Sequence, residues 1–501
     1  MTKEISRRGF LRAALTSSVV LAAGPVLANP PERSLRPIAR GTDFLKQIQT
    51  PAEALIRQAK LGGDVAFSVA DVKTGHVLEE YNATLGQPPA SVAKALTAAY
   101  ALETLGPGHH FVTRLIATGG ISDGVIAGDL VLAGGGDPDL DTDGLAALAA
   151  DLKAAGIREV KGAFKVWGGA LPDVRTIDTG QPDHVSYSPA VSGLNLNYNR
   201  VHFEWRRSGG TYTVTMEGRS EAHRPAVQFA RMAVEARSLP VYTYADTGGR
   251  DEWTVAKGAL GDGGARWLPV RKPELYAGEV FQTFARSHGI VLKTPEILRD
   301  LPEGETVASH ESAPLRIILR EMLKWSTNLT AETVGLASTI KRTGTQPKDL
   351  RESAAAMNAW ARERFGLTSM AFVDHSGLGE DSRISAPDMR AALGHLRETS
   401  GLKALMKPFH FRDEQRRPMP DHPVEVHAKT GTLNFVSGLA GYVDLPDGTE
   451  LVFAIFASNE AERAKLSRDE RERPPGGAAW NARAKSLQQG LIERWSVLYG
   501  A

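Results

Sequence analysis

The sequence predicts an α+β protein in which a frame of helices and strands is interrupted by a long β-rich insertion. Residues before about 113 and after about 307 alternate helical periodicity with strand pairs, whereas the block between them is rich in glycine turns and short apolar strands. The 501 residues are 42% hydrophobic, enough for about two to four compact units. We therefore predict one discontinuous frame domain at 35–112 and 308–501, interrupted by an inserted β-rich block at 113–307.

Charge and cysteine content exclude several classes of protein. Lys and Arg number 59 against 58 Asp and Glu, so the formal net charge is +1. A chain this close to neutral lacks the self-repulsion of disordered proteins and the basic balance typical of nucleic-acid binding. The absence of cysteine excludes disulfides, a thiol nucleophile and cysteine-ligated zinc.

The N-terminal segment resembles a twin-arginine export signal. Arg7 and Arg8 precede Phe10 and an apolar stretch, 13–28, that ends in Val-Leu-Ala. Polar residues interrupt this stretch, and it is shorter than the roughly 20 residues of a membrane span. We therefore predict that residues 1–28 form a signal peptide, and that the mature protein is periplasmic with no stable membrane insertion.

Periodicity and turn residues predict the elements of the frame. Apolar residues recur at helical spacing in its helices, and strands alternate around turns at Gly75 and at Gly448. The insertion contains apolar strand patterns within 126–132 and 212–216. The predicted helices of the frame are 43–61, 91–105, 315–339, 354–365 and 480–499, and its strands lie within 65–81, 438–444 and 449–458.

Three short motifs stand in order along the frame and mark a candidate active site. Each motif alone carries little information, because Ser-x-x-Lys and Lys-Thr-Gly both recur elsewhere in the chain. Only one copy of Ser-x-x-Lys precedes both other motifs, so it is the ordered triple that is informative. The three motifs are Ser91-x-x-Lys94, Ser326-Thr327-Asn328 and Lys429-Thr430-Gly431.

The first motif suits nucleophilic catalysis. A serine hydroxyl is a weak nucleophile unless a base removes its proton. Lys94 follows Ser91 by three residues at the start of a helix, so the two side chains share one face and the lysine can act as that base. A lysine loses its proton at neutral pH only when it is desolvated or near another cation, and Lys429 is the candidate neighbour.

The other two motifs supply proton transfer and substrate binding. We expect Ser326 to relay a proton to the leaving group, and Asn328 to bond both Lys94 and a substrate carbonyl. A strand that carries Lys429 offers a cation to a substrate carboxylate.

The residues after Lys429 complete the expected binding strand. Thr430 offers a hydroxyl to the same carboxylate, and Gly431 lets a peptide lie along the strand edge. The backbone N–H groups of Ser91 and Thr432 are then the expected oxyanion hole.

With these motifs and their contexts, the chain resembles the penicillin-binding protein and serine β-lactamase superfamily. More closely, it resembles the penicillin-binding protein 4 type of D-alanyl-D-alanine carboxypeptidase/endopeptidase (DacB, peptidase S13). In that group a long gap between the first two motifs holds two inserted domains. The contexts that carry this resemblance are 89–94, 128–132 with 136–138, 192–197, 322–329 with 331–332, 374–378 and 428–433.

The resemblance implies a fold, a reaction and a set of ligands. The implied fold is the penicilloyl-serine transferase (β-lactamase/transpeptidase-like) fold, a five-stranded antiparallel sheet flanked by helices. The implied activity is that of a serine D-Ala-D-Ala carboxypeptidase/DD-endopeptidase, which trims peptidoglycan stem peptides and cross-links through an acyl-enzyme on Ser91. β-Lactam antibiotics would be inhibitors, and no metal, organic cofactor or nucleic acid is implied.

Two positions depart from the pattern of that family. Position 327 is Thr where Asp or Asn is frequent, but its neighbours Ser326 and Asn328 carry the expected roles. His375 replaces a common glycine in the segment 374–378, and we expect it to be structural rather than catalytic.

Two alternatives remain, one within the enzyme class and one outside it. One is a β-lactamase or serine esterase on the same fold, against which the long gap between motifs argues. The other is a catalytically idle cell-wall-binding protein, against which the presence of every polar motif residue argues. The chain lacks the His-Glu-x-x-His pattern of a zinc peptidase, although the adjacent His109 and His110 could bind a metal weakly.

Overall fold

The computed structural model describes residues 46, 48–413 and 415–500, so the predicted signal peptide lies outside the described residues. The helices are α1 (Ala52–Ala59), α2 (Ala93–Leu105), α3 (Thr142–Ala154), α4 (Pro273–Ser287), α5 (Leu315–Trp325), α6 (Asn328–Thr343), α7 (Leu350–Phe365), α8 (Ala386–Thr399), α9 (Glu460–Ala464) and α10 (Gly477–Tyr499). The strands are β1 (Asp64–Asp71), β2 (Val77–Tyr81), β3 (Val112–Ala117), β4 (Ile121–Ser122), β5 (Val125–Ile126), β6 (Leu130–Ala133), β7 (Glu159–Val160), β8 (Phe164–Trp167), β9 (Arg200–Ser208), β10 (Thr211–Glu217), β11 (Ala230–Glu235), β12 (Tyr242–Asp246), β13 (Asp251–Ala256), β14 (Gly263–Pro269), β15 (Glu296–Ile297), β16 (Glu305–Glu311), β17 (Lys407–Pro408), β18 (Glu425–Leu433), β19 (Val436–Asp444) and β20 (Glu450–Ser458).

Strands from both ends of the frame form one antiparallel sheet, in the order β17-β18-β19-β20-β1-β2. The hairpin near the N-terminus closes onto the hairpin near the C-terminus because β1 pairs with β20 over its whole length, from Asp64 opposite Ser458 to Asp71 opposite Leu451. The two predicted strand pairs therefore belong to the same sheet. It has one strand more than the five expected, and the extra strand, β17, is only two residues long.

Both faces of this sheet are covered by helices, which confirms the α+β class. Successive side chains of a strand point to opposite faces, so Phe67 packs towards α1 and α10, whereas Ala66 packs towards the helices that include α2 and α8. Phe453 and Ala454 divide in the same way on β20. Burial on both faces explains why these strands are nearly continuous apolar runs.

The chain between β3 and β16 builds four further sheets. Their strand orders are β15-β8-β6-β3-β16, β10-β9-β14, β11-β13-β12 and β4-β5-β7. β3 and β16 pair side by side, so the chain leaves and re-enters the frame at one place. The division of 113–307 into two inserted domains stays a prediction, and its two outer boundaries fall inside these paired strands.

Local structure differs from the sequence prediction at three places. The predicted helix 43–61 is interrupted before Pro51, and α1 begins only after this proline, which disfavours a helical residue in front of it. The predicted strand 126–132 is two strands in different sheets, β5 and β6. The predicted helix 315–339 is two helices, because Ser326 adopts a left-handed backbone (φ 61°) after α5.

The break at Ser326 is invisible in the sequence pattern, since apolar residues continue at helical spacing on both sides of it.

None of the described helices is long and apolar enough to cross a membrane.

The packing of α10 on the sheet gives a stability prediction. Trp495 is fully buried between Phe67 and Phe453, with ring centroids 5.6 and 6.0 Å away, and its indole N–H donates to Glu79 at 2.9 Å. Trp495→Ala should lower the free energy of unfolding by about 3–5 kcal/mol, because it removes a large buried side chain and leaves a cavity.

Thermal and denaturant unfolding of the purified protein measure this loss. Lys485→Ala, at an exposed position of the same helix, is the matched control and should change stability by less than about 0.5 kcal/mol. Equal stability of the two variants would contradict the packing described for α10.

Candidate active site

The nucleophile candidate Ser91 lies in a tight turn rather than at the first residue of an α-helix. A single turn of 3₁₀-helix spans Ala90–Val92, and α2 begins at Ala93. Ala90 has a left-handed backbone (φ 46°), a conformation that costs of order 1–3 kcal/mol in a residue other than glycine. Packing around the turn holds this conformation in place.

Two glycines make the close packing around this turn possible. A Cβ atom on Gly377 would collide with the carbonyl oxygen of Ala90. A Cβ on Gly431 would lie 2.6 Å from the carbonyl oxygen of Pro89 and 3.1 Å from the backbone nitrogen of Ser91. The turn that carries the serine is therefore wedged between the 374–378 segment and β18.

Lys94 is fully buried and uses its ammonium group to join three segments of the chain. Its Nζ donates to Ser91 Oγ at 2.9 Å, to Asn328 Oδ1 at 2.7 Å and to the carbonyl oxygen of Ser376 at 2.7 Å. A lysine ammonium has three N–H donors, so these contacts satisfy all of them. The geometry joins the first motif to the second.

Burial also sets the protonation of Lys94. Desolvation lowers the pKa of Lys94 to about 8, although the nearby carboxyl groups of Glu332 and Asp374 oppose the shift. Both carboxyl groups are buried as well. Burial, with the neighbouring Asp374, raises the pKa of Glu332 to about 8.

The two carboxyl groups hold the segment that follows Asp374. Glu332 accepts the backbone N–H groups of His375 and Ser376 at 3.0 and 2.8 Å, and Asp374 accepts those of Gly377 and Gly379. These hydrogen bonds to the two carboxyl groups therefore fix the loop whose Ser376 carbonyl accepts from Lys94. Both acids lie in segments that the resemblance singled out, but no local pattern indicated their position beneath Lys94.

The third motif meets the second across the cleft. Lys429 is buried, and its Nζ donates to Ser326 Oγ at 2.9 Å and to the carbonyl oxygen of Thr430 at 2.7 Å. Burial lowers the pKa of Lys429 well below its usual value, and the positive charge of Lys94 adds to this effect. The left-handed backbone of Ser326 turns its hydroxyl towards this lysine.

The edge of β18 is open beside Ser91, the candidate nucleophile. β17 pairs with only His427 and Ala428, so within the described residues no strand covers this edge from Lys429 to Leu433. Thr430 and Thr432 are exposed along it. An extended peptide has room to add as a strand at this edge. The structure thus brings all eight predicted site residues to one cleft.

His375 has a packing role. It is fully buried, stacks on Tyr100 with ring centroids 6.5 Å apart, and its Nε2 lies 2.7 Å from Ser353 Oγ. Burial lowers the pKa of His375 to about 3, so the ring is neutral at physiological pH. Gly335 faces the ring, and a Cβ there would collide with it.

Several other residues that line the cleft had no signal in the sequence. Tyr187 comes from the inserted block, and its carbonyl oxygen accepts from Asn328 Nδ2 at 2.8 Å. Arg463 and Arg471 come from the segment between β20 and α10, and both lie near Glu380, at 3.7 and 3.2 Å. Only the tertiary structure brings these side chains to the cleft.

Comparison with known proteins identifies the family. The model of the D-Ala-D-Ala carboxypeptidase 3 (S13) family matches residues 48–473. A D-alanyl-D-alanine carboxypeptidase from Actinomadura sp. (strain R39) is 27% identical, over 92% of this chain and 89% of its own length. The D-alanyl-D-alanine carboxypeptidase DacB of Haemophilus influenzae is 25% identical, over 79% and 85% of the two chains.

A solved structure shows the same fold. The crystal structure of penicillin binding protein 4 (dacB) from Haemophilus influenzae superposes with a TM-score of 0.73 at 18% identity. The match covers 89% of this chain and all of the other. The chain therefore belongs to the D-Ala-D-Ala carboxypeptidase 3 (S13) family, and it is a serine peptidase on the fold of the penicillin-binding proteins, as its motifs predicted.

Proposed function

We propose that this carboxypeptidase removes the terminal D-alanine of peptidoglycan stem peptides through an acyl-enzyme on Ser91, and that it opens D-Ala–diaminopimelate cross-links by the same steps. The observation that carries the proposal is the pair of contacts in which Lys94 bonds Ser91 Oγ and Lys429 bonds Ser326 Oγ. A nucleophile and a proton donor each have a lysine partner, as acyl transfer requires.

Substrate binding prepares the two lysines for opposite tasks. The carboxylate of the terminal D-alanine binds Lys429 and Thr430, and this negative charge favours the protonated form of Lys429. Since the two buried lysines repel each other, protonation of Lys429 favours the neutral form of Lys94. Lys94 is then able to accept a proton.

Acylation follows along the observed contacts. Ser91 Oγ attacks the penultimate D-Ala carbonyl and loses its proton to Lys94, while the N–H groups of Ser91 and Thr432 stabilise the oxyanion. The amide C–N bond breaks as Ser326 donates its proton to the leaving nitrogen and regains one from Lys429. The lysine pair carries one proton before and after this step.

Deacylation reverses the proton movements. As water attacks the ester carbonyl, it gives a proton to Ser326, which passes its own proton to Lys429. Lys94 then returns its proton to Ser91 Oγ. The acid product leaves and the enzyme is restored. In a cross-link the leaving amine belongs to a second stem peptide, and no other step changes.

We further propose that β-lactams acylate Ser91, because they imitate the D-Ala-D-Ala terminus. The penicillin binding protein 4 of Haemophilus influenzae, which shares the fold, has been solved in complex with a β-lactam. In the present chain, the contacts of Lys94 with Ser91 Oγ and Asn328 Oδ1 support this proposal.

Export through the twin-arginine route, cleavage after Ala28 and a periplasmic location are also proposals. The motif at Arg7 and Arg8 supports them, and so does the family's substrate, since peptidoglycan lies outside the cytoplasm.

The proposed chemistry uses side chains and water, with no metal or organic cofactor. We propose in addition that 113–307 forms two domains inserted in the catalytic frame.

The acyl-enzyme gives the first prediction. The mature protein should gain the mass of one penicilloyl group after brief exposure to benzylpenicillin, and Ser91→Ala should gain none, since the only proposed nucleophile is gone. Intact-mass spectrometry measures both.

Ser400→Ala is the matched control, because Ser400 opens another Ser-x-x-Lys sequence of this chain and should not affect the adduct. An adduct on Ser91→Ala would refute the assignment of the nucleophile. A wild-type protein that neither forms an adduct nor cleaves penicillin or D-Ala-D-Ala peptides would refute the enzymatic proposal.

Lys94 gives a pH prediction. It acts in its neutral form, and its pKa is lowered to about 8. The rate constant of acylation by benzylpenicillin should therefore rise about tenfold for each pH unit on the acidic side of that value, as Lys94 loses its proton.

Timed intact-mass measurements between about pH 6 and 9, with circular dichroism to show that the fold is retained, test this dependence. A rate that stays flat over the range would contradict the role of Lys94 as the base.

A further inference from the structure

The cleft continues past Ser326 into a second pocket, here called the Arg200 pocket. Its walls include Tyr198, Arg200 and Trp325, and it shares Ser326 and Asn328 with the candidate active site. Trp325 directly precedes Ser326, and the residue is 66% exposed to solvent. A large exposed indole beside a candidate catalytic serine is typical of a ligand-binding surface.

Arg200 is a cation without a counter-ion in this pocket. Its guanidinium packs over the rings of Tyr198 and Trp267, at 5.0 and 5.7 Å from their centroids. Its Nε is buried and has no hydrogen-bond partner, and none of the carboxylates in the described chain forms an ion pair with it. An arginine stays charged when buried, so an anion bound here would offset a desolvation cost that the free protein leaves uncompensated.

A buried carboxyl group, that of Asp139, interacts with Tyr198 and not with Arg200. Asp139 bonds the hydroxyl of Tyr198, and burial together with Asp137 raises the pKa of Asp139 to about 7. It therefore carries only part of its charge at neutral pH. The hydroxyl of Tyr198 interacts with Asp139, whereas the ring of Tyr198 faces the guanidinium of Arg200.

The direction of the substrate decides which half of it meets this pocket. A peptide added to the edge of β18 with its carboxylate on Lys429 has its acyl half towards Leu433 and Asn434, which line the candidate active site. Its leaving half lies towards Ser326, which Lys429 contacts. The Arg200 pocket begins at Ser326, so it lies on the side of the leaving group.

We propose that the Arg200 pocket binds the leaving stem peptide of a cross-link, with Arg200 taking a second carboxylate of that peptide. The inference rests on the proposed function and adds a binding site to it. A free D-alanine has a single carboxylate, which Lys429 and Thr430 take. The leaving half of a cross-link is a whole stem peptide with further carboxylates, and Trp325 and Tyr198 offer apolar walls for its aliphatic parts.

The experiment compares three substrates on the full mature protein. The first is a stem pentapeptide that ends in D-Ala-D-Ala. The second is a cross-linked dimer with free carboxylates on its leaving stem. The third is the same dimer with those carboxylates amidated, except the one next to the cleaved bond. Arg200→Gln and Arg200→Lys are the test variants, and Arg206→Gln, at an exposed position of the same strand, is the matched control.

Loss of a charge-assisted contact predicts a selective effect. Arg200→Gln should lower kcat/KM for the free-carboxylate dimer ten- to a hundredfold, mainly through KM, and should change kcat/KM for the pentapeptide less than twofold. Arg200→Lys should recover part of the loss. The wild-type protein should cleave the amidated dimer about as slowly as Arg200→Gln cleaves the free one.

Other outcomes overturn the inference in distinguishable ways. Unchanged cleavage of the free-carboxylate dimer by Arg200→Gln would show that the pocket does not bind it. Equal losses on pentapeptide and dimer would assign Arg200 a purely structural role. A wild type that releases D-alanine but leaves dimers intact would remove the inference and retain carboxypeptidase activity. A wild type inactive on every substrate and unreactive towards benzylpenicillin would mean that the proposed function itself fails.

Discussion

The three hydrogen bonds of Lys94 are the interaction on which the site depends. A buried ammonium whose N–H groups lack partners costs several kcal/mol, so each of its acceptors is held where the lysine needs it. These acceptors, in Ser91, Asn328 and Ser376, come from segments far apart in the sequence. Glu332 belongs to the same network, because its carboxyl group accepts the backbone N–H of Ser376. The need to satisfy the hydrogen bonds of one side chain thereby fixes the position of Ser91, the candidate nucleophile, relative to the second motif.

Two of the residues with a strained, left-handed backbone lie at the candidate active site. Ala90 and Ser326 both adopt left-handed conformations, although neither is a glycine. Such residues persist only when packing over-determines them. The turn of Ser91 lies between Gly377 and Gly431, where a side chain would collide with it. The stability of the α+β frame therefore compensates for the unfavourable local conformations of Ala90 and Ser326.

The frame and the inserted block contribute differently to the cleft. The frame carries the three motifs and the open edge of β18. The inserted block reaches the same cleft with Tyr187 and with the wall at Tyr198 and Arg200. Under the proposed function, these residues lie beyond the reacting atoms and contact the bound peptide.

Local information in the sequence was sufficient for the motif residues, the hairpin of β1 and β2, the pair of β19 and β20, and the family. Motif spacing, alternation and turn residues all act over a few positions, so a single sequence carries them. The break of the helix at Ser326 was missed because apolar periodicity runs through it. The placement of Glu332 under Lys94 and the lack of a counter-ion at Arg200 were decided by the tertiary structure alone. Both depend on which side chains meet across long separations in the chain, and those contacts exist only once the sheet and its helices have packed.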